Sequence, residues 1–334
     1  MTSFKAYEVE EAADGSYSGK LVSKELADLP AGDVVIEVSY SSVNYKDALS
    51  ASGNKGVTRQ FPHTPGIDAV GTIVSSDVES LAVGSDALVT GYDLGMGTAG
   101  GFGQRIRVPA AWVAKLPANL AAKESMCLGT AGLTAALCVD KLLSNGVVPA
   151  GGKVLVTGAT GGVGMIACAL LSKLGFEVVA STGKPEAGAR LQALGVSEII
   201  SRQELAEENS RPLLKESYAA AVDVVGGNTL ANVLKGIKSG GSVAACGLVE
   251  SPALNTTVLP FILRGVNLLG VDSVEIPLAK KQAMWDLLAS DWQLPEIESL
   301  TSEIGFGELG DALDKVLAGG AIGRYVLKLD ELEL

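Results

Sequence analysis

The stretch Val154-Leu155-Val156-Thr157-Gly158-Ala159-Thr160-Gly161-Gly162-Val163-Gly164 decides the fold. Val154–Thr157 is short and apolar, as expected of a strand covered on both faces. The glycines at 158, 161, 162 and 164 break it into a turn, and Gly164–Leu174 then reads as a helix ending at Gly175. A strand that delivers a glycine-rich turn onto a helix N-terminus is built to receive a diphosphate. Glycine lets the backbone come close, and the first helical N–H groups point at the anion. The pattern G-x-G-x-x-G falls on Ala159, Gly161 and Gly164, so its first position is Ala. Thr160, Gly161, Gly162, Val163 and Gly164 are the candidate contacts.

C-terminal to this turn the chain alternates regularly. Strands are expected at Glu177–Ser181, Glu198–Ile200, Ala220–Val225, Ser242–Cys246 and Asn267–Val271. Helices are expected between them, at Pro185–Leu194, Gln203–Ala206, Thr229–Ile237 and Leu259–Arg264. Doubly buried strands joined by helical crossovers imply a doubly wound parallel sheet, an α/β fold whose ligands sit at the strand ends. That places Leu248 and the segment around Leu268 among the candidate cofactor contacts. After Ser273 come a helix at Leu278–Ala289, a strand near Ile297–Ile304, a helix at Glu308–Ala318 and a strand at Gly323–Leu329. This tail has no phosphate turn and is expected to return to the N-terminal part. The first 125 residues read mostly as strands punctuated by Gly and Pro, starting with the alternating Met1–Glu11, which suggests a partly open barrel or sandwich. A broken helical stretch follows from about Ala122 to Leu143.

The end of the second strand selects the dinucleotide. An NAD site places Asp or Glu about 20 residues past the turn, on the ribose 2′-hydroxyl. Here that position holds Thr182, within Ser181-Thr182-Gly183-Lys184. Hydroxyls and a cation suit a 2′-phosphate, which a carboxylate would repel. Thr182, Gly183, Lys184 and Arg202 therefore point to NADPH, with Arg190 a further cation nearby.

Composition narrows the remaining chemistry. Lys and Arg number 26 against 38 Asp and Glu, a net charge of −12, so no nucleic-acid partner is expected. The four cysteines, Cys127, Cys138, Cys168 and Cys246, include no C-x-x-C pair and read as small hydrophobes in a reducing cytosol. His63 is the sole histidine and reads as a loop residue between two prolines. The uncharged run Val154–Ser172 would trip a hydropathy window, but its glycines divide it into pieces too short to span a bilayer. With no secretory leader visible either, the expectation is a cytoplasmic protein without a membrane partner.

Five segments carry a family resemblance: SSVNYKDAL (Ser41–Leu49), FPHTPGIDAVGTI (Phe61–Ile73), GTAGLTAALCV (Gly129–Val139), VTGATGGVG and VAACGL (Val243–Leu248). They are similar to the zinc-independent, quinone-oxidoreductase-like branch of the medium-chain dehydrogenase/reductase superfamily. PFILRGVNLLGVDSV (Pro260–Val274) resembles the acryloyl-CoA reductase group within it. The resemblance implies a GroES-like catalytic domain over 1–125, an NADP-binding Rossmann domain over 126–272 and a return to the catalytic domain over 273–334. It also implies a homodimer paired through the last strand of the nucleotide domain. Where zinc-dependent relatives carry a catalytic Cys and a Gly-His-Glu segment, this chain reads Asn44-Tyr45-Lys46-Asp47 and Gly66-Ile67-Asp68, and it lacks their cysteine cluster. Imidazole and thiolate ligands for a tetrahedral zinc site are therefore missing.

The implied reaction is reduction of the C=C bond of an α,β-unsaturated acyl thioester. NADPH:quinone reduction is one alternative, and a non-catalytic NADPH-binding role in sensing or structure is another. The resemblance places the loop holding Tyr45, Asn44 and Asp47 beside the nicotinamide. Tyr45 is the candidate cofactor contact, proton donor or enolate stabiliser, and equally a residue that only packs on the ring. Asn44 and Asp47 are candidates to fix that loop. Arg324 is a candidate to hold an anionic group, while Asp68 is expected to be structural. Lys55, Arg59, Lys280 and Lys281 are cations that a coenzyme A could use, with nothing in their spacing to select among them.

Overall fold

The computed structural model describes residues 3–329. The ends of the first and last expected segments, Met1–Thr2 and 330–334, lie outside the described residues. The chain forms two compact units, one running up to Thr130 and resuming at Ser273, the other spanning Ala131–Asp272.

In the first unit β1 (Ser3–Glu11) and β2 (Tyr17–Glu25) make an antiparallel hairpin, of which β2 was not foreseen. β3 (Val34–Val43) leads into α1 (Tyr45–Ala51), and β4 (Asp68–Ser76), β5 (Asp86–Thr90), β6 (Arg105–Val108) and β7 (Ala114–Lys115) follow. α2 (Ala122–Ser144) opens in this unit and is broken at Gly129, where φ is 53°. It is long and apolar enough to cross a membrane by length and composition alone, but most of it is buried within the protein.

The second unit holds β8 (Val154–Val156), α3 (Gly162–Lys173), β9 (Val178–Thr182), α4 (Gly188–Ala193), β10 (Glu198–Ser201) and α5 (Gln203–Ala206). β11 (Tyr218–Asp223), α6 (Gly227–Gly236), β12 (Ile237–Ala245), α7 (Leu259–Arg264) and β13 (Asn267–Gly270) complete it. Its six strands run parallel in the order β10-β9-β8-β11-β12-β13. The strand order reverses between β8 and β11, which creates the crevice at the carboxyl ends where such sheets take their ligand. Leu155, Val179, Ala221 and Val243, one from each of the four inner strands, are fully buried in its core.

The chain then returns to the first unit with α8 (Leu278–Leu288), β14 (Thr301–Ile304), α9 (Phe306–Leu317) and β15 (Arg324–Lys328). β15 pairs antiparallel with β3, so the first unit's sheet runs β14-β15-β3-β4-β5-β7, with β6 also on β3. Its core joins Ile36, Val38, Ala69 and Val89 from the first half to Leu309, Leu313 and Leu327 from the return.

Three expectations need correction. The Asn44–Asp47 segment is not a loop but the start of helix α1. Ile297–Leu300, expected as strand, is a 3₁₀ turn that buries Ile297 and Leu300, and only Thr301–Ile304 pairs. The expected helix at Pro185–Leu194 is a 3₁₀ turn at Pro185–Ala187 that runs directly into the short α4, the tightened first turn common at helix N-termini.

Candidate functional site

Each unit carries its own group of candidate site residues. In the second unit, β8 ends at a turn in which Gly158 is left-handed (φ 58°), and a Cβ on Gly164 would stand 2.3 Å from the Gly158 carbonyl oxygen. Both must therefore be glycine for strand and helix to meet so closely. α3 starts from Gly161 with no side-chain cap, so its first N–H groups are left to an outside acceptor. Thr160, Gly161, Gly162, Val163 and Gly164 all lie on this turn and first helical residues.

The end of β9 closes one side of the crevice. Thr160 Oγ1 and Thr182 Oγ1 are 3.0 Å apart, and the Lys184 N–H donates to Thr182 Oγ1 at 3.1 Å. Thr182 is buried, so its hydroxyl shapes the turn instead of standing open to a phosphate. The Arg202 N–H donates to the Thr182 carbonyl at 2.9 Å, and its side chain lies over Gly183. Among the described residues no carboxylate pairs with Arg202, and none stands at the end of β9. The surface offered here is a backbone turn flanked by Lys184 and Arg202.

At the switch point sits Asp223, which sequence reasoning missed. It is buried and accepts from Thr157 Oγ1 at 2.7 Å and from the Gly226 N–H at 2.8 Å, tying the ends of β8 and β11 together. Burial raises its carboxyl above the usual range. A carboxylate closing a strand that otherwise reads Ala-Ala-Ala-Val was the available signal. Leu248 follows the carboxyl end of β12 and is 59% exposed. Leu268 departs from its expected place. It pairs with Val243 in the middle of the ladder, and it is Gly270 that stands at the strand's carboxyl end.

The first unit contributes a buried polar cluster at the start of α1. The Asn44 N–H donates to Asp47 Oδ2 at 2.8 Å, and the Ile67 N–H donates to Asp47 Oδ1 at 2.8 Å. Asn44 Nδ2 donates to Asp68 Oδ2 at 2.8 Å, and Asp68 also accepts from Ser42 Oγ, the Thr130 N–H and Thr130 Oγ1. Arg324 donates through Nη1 to Asn44 Oδ1 (3.1 Å) and the Val43 carbonyl (3.2 Å), and through Nε to the Cys127 carbonyl (3.3 Å). Only Nη2, itself buried, has no partner. The expectation that Arg324 stands ready for an anionic ligand is thus corrected: most of its guanidinium is spent inside the protein.

Burial and the neighbouring Asp68 charge push the Asp47 carboxyl up to about 7. Burial lowers Arg324, while Asp68 and Asp47 act to hold its charge. Tyr45 emerges from this cluster as the first residue of α1 and is 38% exposed. Asn44-x-x-Asp47 is the spacing of a helix N-terminal capping pair, the signal that could have revealed α1.

Two further residues singled out in the sequence, Lys281 and His63, are taken up inside the fold. Lys281 is buried, donates to the Thr90 and Val274 carbonyls and lies 3.4 Å from the centre of the Tyr92 ring. It is not available to a coenzyme. His63 is buried and bridges to Val9 instead of sitting in an open loop, and burial lowers its imidazole pKa.

Residues 30–118 match the alcohol dehydrogenase GroES-like domain and residues 162–290 the zinc-binding dehydrogenase family. Acrylyl-CoA reductase AcuI of Ruegeria pomeroyi is 43% identical over 91% of this chain and 92% of its own. The chain belongs to the medium-chain dehydrogenase/reductase superfamily. Within it, the putative quinone oxidoreductase YhfP of Bacillus subtilis is 44% identical over 98% of this chain and 99% of its own. The yhdH oxidoreductase of Salmonella enterica, solved in complex with NADP, superposes with a TM-score of 0.94 at 42% identity, covering 98% of this chain and 100% of that one. B. subtilis yhfP, solved with NAD bound, superposes at 0.95 and 43% identity, covering 98% and 100%. The superfamily takes a nicotinamide dinucleotide, and the glycine turn, uncapped α3 and basic β9 end of this chain fit one. Although one matching family is named for zinc, no three His, Cys, Asp or Glu side chains converge among the described residues in a way that could hold a metal ion.

Proposed function

We propose that this oxidoreductase uses NADPH to reduce the C=C bond of an α,β-unsaturated acyl thioester, acryloyl-CoA to propanoyl-CoA being the leading reaction. The near-full-length likeness to acrylyl-CoA reductase AcuI carries this reading. The choice of NADPH is supported by the β9 end, where Lys184 and Arg202 flank Gly183 and no carboxylate is present to meet a 2′-hydroxyl. The bound dinucleotide supplies the hydride that forms the new C–H bond at the β-carbon. Charge then moves to the thioester oxygen, and a proton must reach the α-carbon.

The chain's task is to orient the reactants and to place a hydrogen-bond donor at that oxygen. We assign the donor to the Tyr45 hydroxyl and the fixing of its helix to Asn44 and Asp47. Thr160 to Gly164 hold the diphosphate, Gly183, Lys184 and Arg202 the 2′-phosphate end on the turn that Thr182 shapes from within, and Leu248 the nicotinamide side. Quinone reduction is the second reading, favoured by the likeness to YhfP.

The protein is further proposed to be a cytoplasmic homodimer. β13 is an edge strand of its sheet, and Ile262 and Leu263 of α7 and Leu268 of β13 are exposed large hydrophobics.

The deciding experiment follows the loss of NADPH absorbance with acryloyl-CoA, beside a benzoquinone and an NADH control. Fast consumption with acryloyl-CoA and NADPH is the expected result. Turnover with the quinone alone moves the protein to the second reading.

A further inference from the structure

We propose that Arg324 and Asp68 are positioning residues that set the direction of Tyr45 by gripping the Asn44 side-chain amide from both ends. The inference rests on the role assigned above to Tyr45. Asn44 is the last extended residue of its segment (φ −123°, ψ 162°), and Tyr45 is the first helical one. The Tyr45 phenol is exposed and makes no hydrogen bond to another described residue, so its aim is inherited from the backbone that carries it. That backbone is held at Asn44. Its Oδ1 accepts from Arg324 Nη1 at 3.1 Å and its Nδ2 donates to Asp68 Oδ2 at 2.8 Å, which leaves one orientation of the amide.

Neither grip can stand alone. A buried guanidinium needs nearby negative charge, and a buried carboxylate needs donors. Asp68 collects its donors from Ser42, Asn44 and Thr130, all on segments that converge at the start of α1. Gly129 closes the cluster: a Cβ there would stand 2.4 Å from Ser42 Oγ, 2.7 Å from Asp68 Oδ2 and 2.8 Å from Arg324 Nη2. Asp68 and Arg324, from two stretches distant in sequence, thus meet on one amide whose neighbour is the exposed tyrosine, with Thr130 bonded to Asp68.

The test combines Arg324→Lys, Asn44→Ala and Tyr45→Phe in the full-length protein, with thermal unfolding recorded for each. Asn44→Ala removes the grip without stranding a charge on a new side chain, and so covers the case in which Arg324→Lys fails to fold. Misplacement of a reacting group by about 1 Å costs up to about 100-fold, so kcat in either clamp variant is expected to fall about tenfold or more. KM for NADPH should stay within about threefold and the deuterium isotope effect from labelled NADPH should rise. Added to Tyr45→Phe, either change should cost little more, because both act through the same hydroxyl. Wild-type kcat in both clamp variants, or fully additive losses with Tyr45→Phe, overturns the clamp while leaving Tyr45 catalytic. Wild-type kcat in Tyr45→Phe overturns the role of Tyr45 itself, and the clamp with it.

Discussion

Arg202 lies over Gly183 so closely that a Cβ on Gly183 would stand 2.6 Å from Arg202 Nε and 2.7 Å from its Cδ. The backbone at Gly183 is outside the left-handed region, so alanine is conformationally acceptable there. Gly183→Ala should therefore cost little stability, about 1 kcal/mol or less, because the exposed Arg202 side chain can swing away. It should nevertheless raise KM for NADPH about tenfold by moving the cation off the turn. Arg202→Ala should raise it by about 10- to 100-fold, the worth of a charge-assisted contact of roughly 1.5–3 kcal/mol, with NADH kinetics unmoved. Parallel NADPH and NADH titrations check both. An equal rise for the two cofactors would place Arg202 outside the 2′-phosphate site.

Asp47 makes stability depend on pH. Its carboxyl stands at about 7 in the folded protein against an ordinary value of 3.8, raised by burial and then by Asp68. Between those values the folded state binds the extra proton, so stability is lost as pH rises through that window, by a total on the order of a few kcal/mol. Asp47→Asn cannot titrate, but its amide nitrogen must face one of the two N–H donors, Asn44 or Ile67, that the carboxyl now accepts from. The variant should be less stable by about 1–3 kcal/mol at pH 5. Its deficit should shrink towards pH 8, as the wild type loses stability and the variant does not. Urea unfolding at the two pH values measures the gap, and a constant gap would show that Asp47 is ionised throughout.

The two parts of the candidate site were unequally legible in the sequence. The second unit follows a strand–turn–helix pattern in which local signals and sheet order agree, so Gly158–Gly164 and Thr182–Arg202 could be placed from spacing alone. Leu268 was misplaced because its segment was known but not its register against β12, and register is a property of two strands. In the first unit the cluster draws on Ser42, Asn44, Asp47, Asp68, Thr130 and Arg324, whose contacts span up to 280 positions. No local pattern announces such a convergence. Arg324 read as a candidate to hold an anionic group, and only the pairing of β15 with β3 shows that its guanidinium is taken up by the Val43 and Cys127 carbonyls and the Asn44 amide. α1 itself was legible, since Asn44-x-x-Asp47 is a capping spacing, but the resemblance to a loop of zinc relatives drew the reading elsewhere.

Gly129 resists replacement by alanine. It combines φ 53° and ψ −158° with three polar atoms within 2.8 Å of the position a Cβ would take. The backbone conformation alone costs a non-glycine residue about 1–3 kcal/mol. Two of the crowding atoms, Asp68 Oδ2 and Arg324 Nη2, belong to buried groups of the polar cluster with little room to retreat. Gly129→Ala should lower Tm by several degrees, at roughly 2–4 °C per kcal/mol for a unit of this size. It should also depress kcat through Asn44. A Tm within a degree of wild type would mean the break in α2 can be straightened at no cost.

Lys281 tests whether the return of the chain is held by chemistry distinct from catalysis. Its ammonium is buried, donates to the Thr90 and Val274 carbonyls and lies 3.4 Å from the Tyr92 ring centre. That ring stacks on Trp112 at 5.6 Å with an interplanar angle of 9°, and its hydroxyl donates to the Ile276 carbonyl at 3.2 Å. One cation therefore joins the end of β5 to the segment leading into α8. Lys281→Met preserves most of the side-chain volume but leaves two buried carbonyls without their charged donor, each worth about 1–3 kcal/mol, and removes a desolvated cation–π contact of about 2 kcal/mol. Losses in one cluster do not add fully, and a net cost of about 3–5 kcal/mol is expected. The folded variant should keep wild-type KM for both NADPH and acryloyl-CoA. A raised KM for the thioester with unchanged stability would instead return Lys281 to the coenzyme-binding role that its burial argues against.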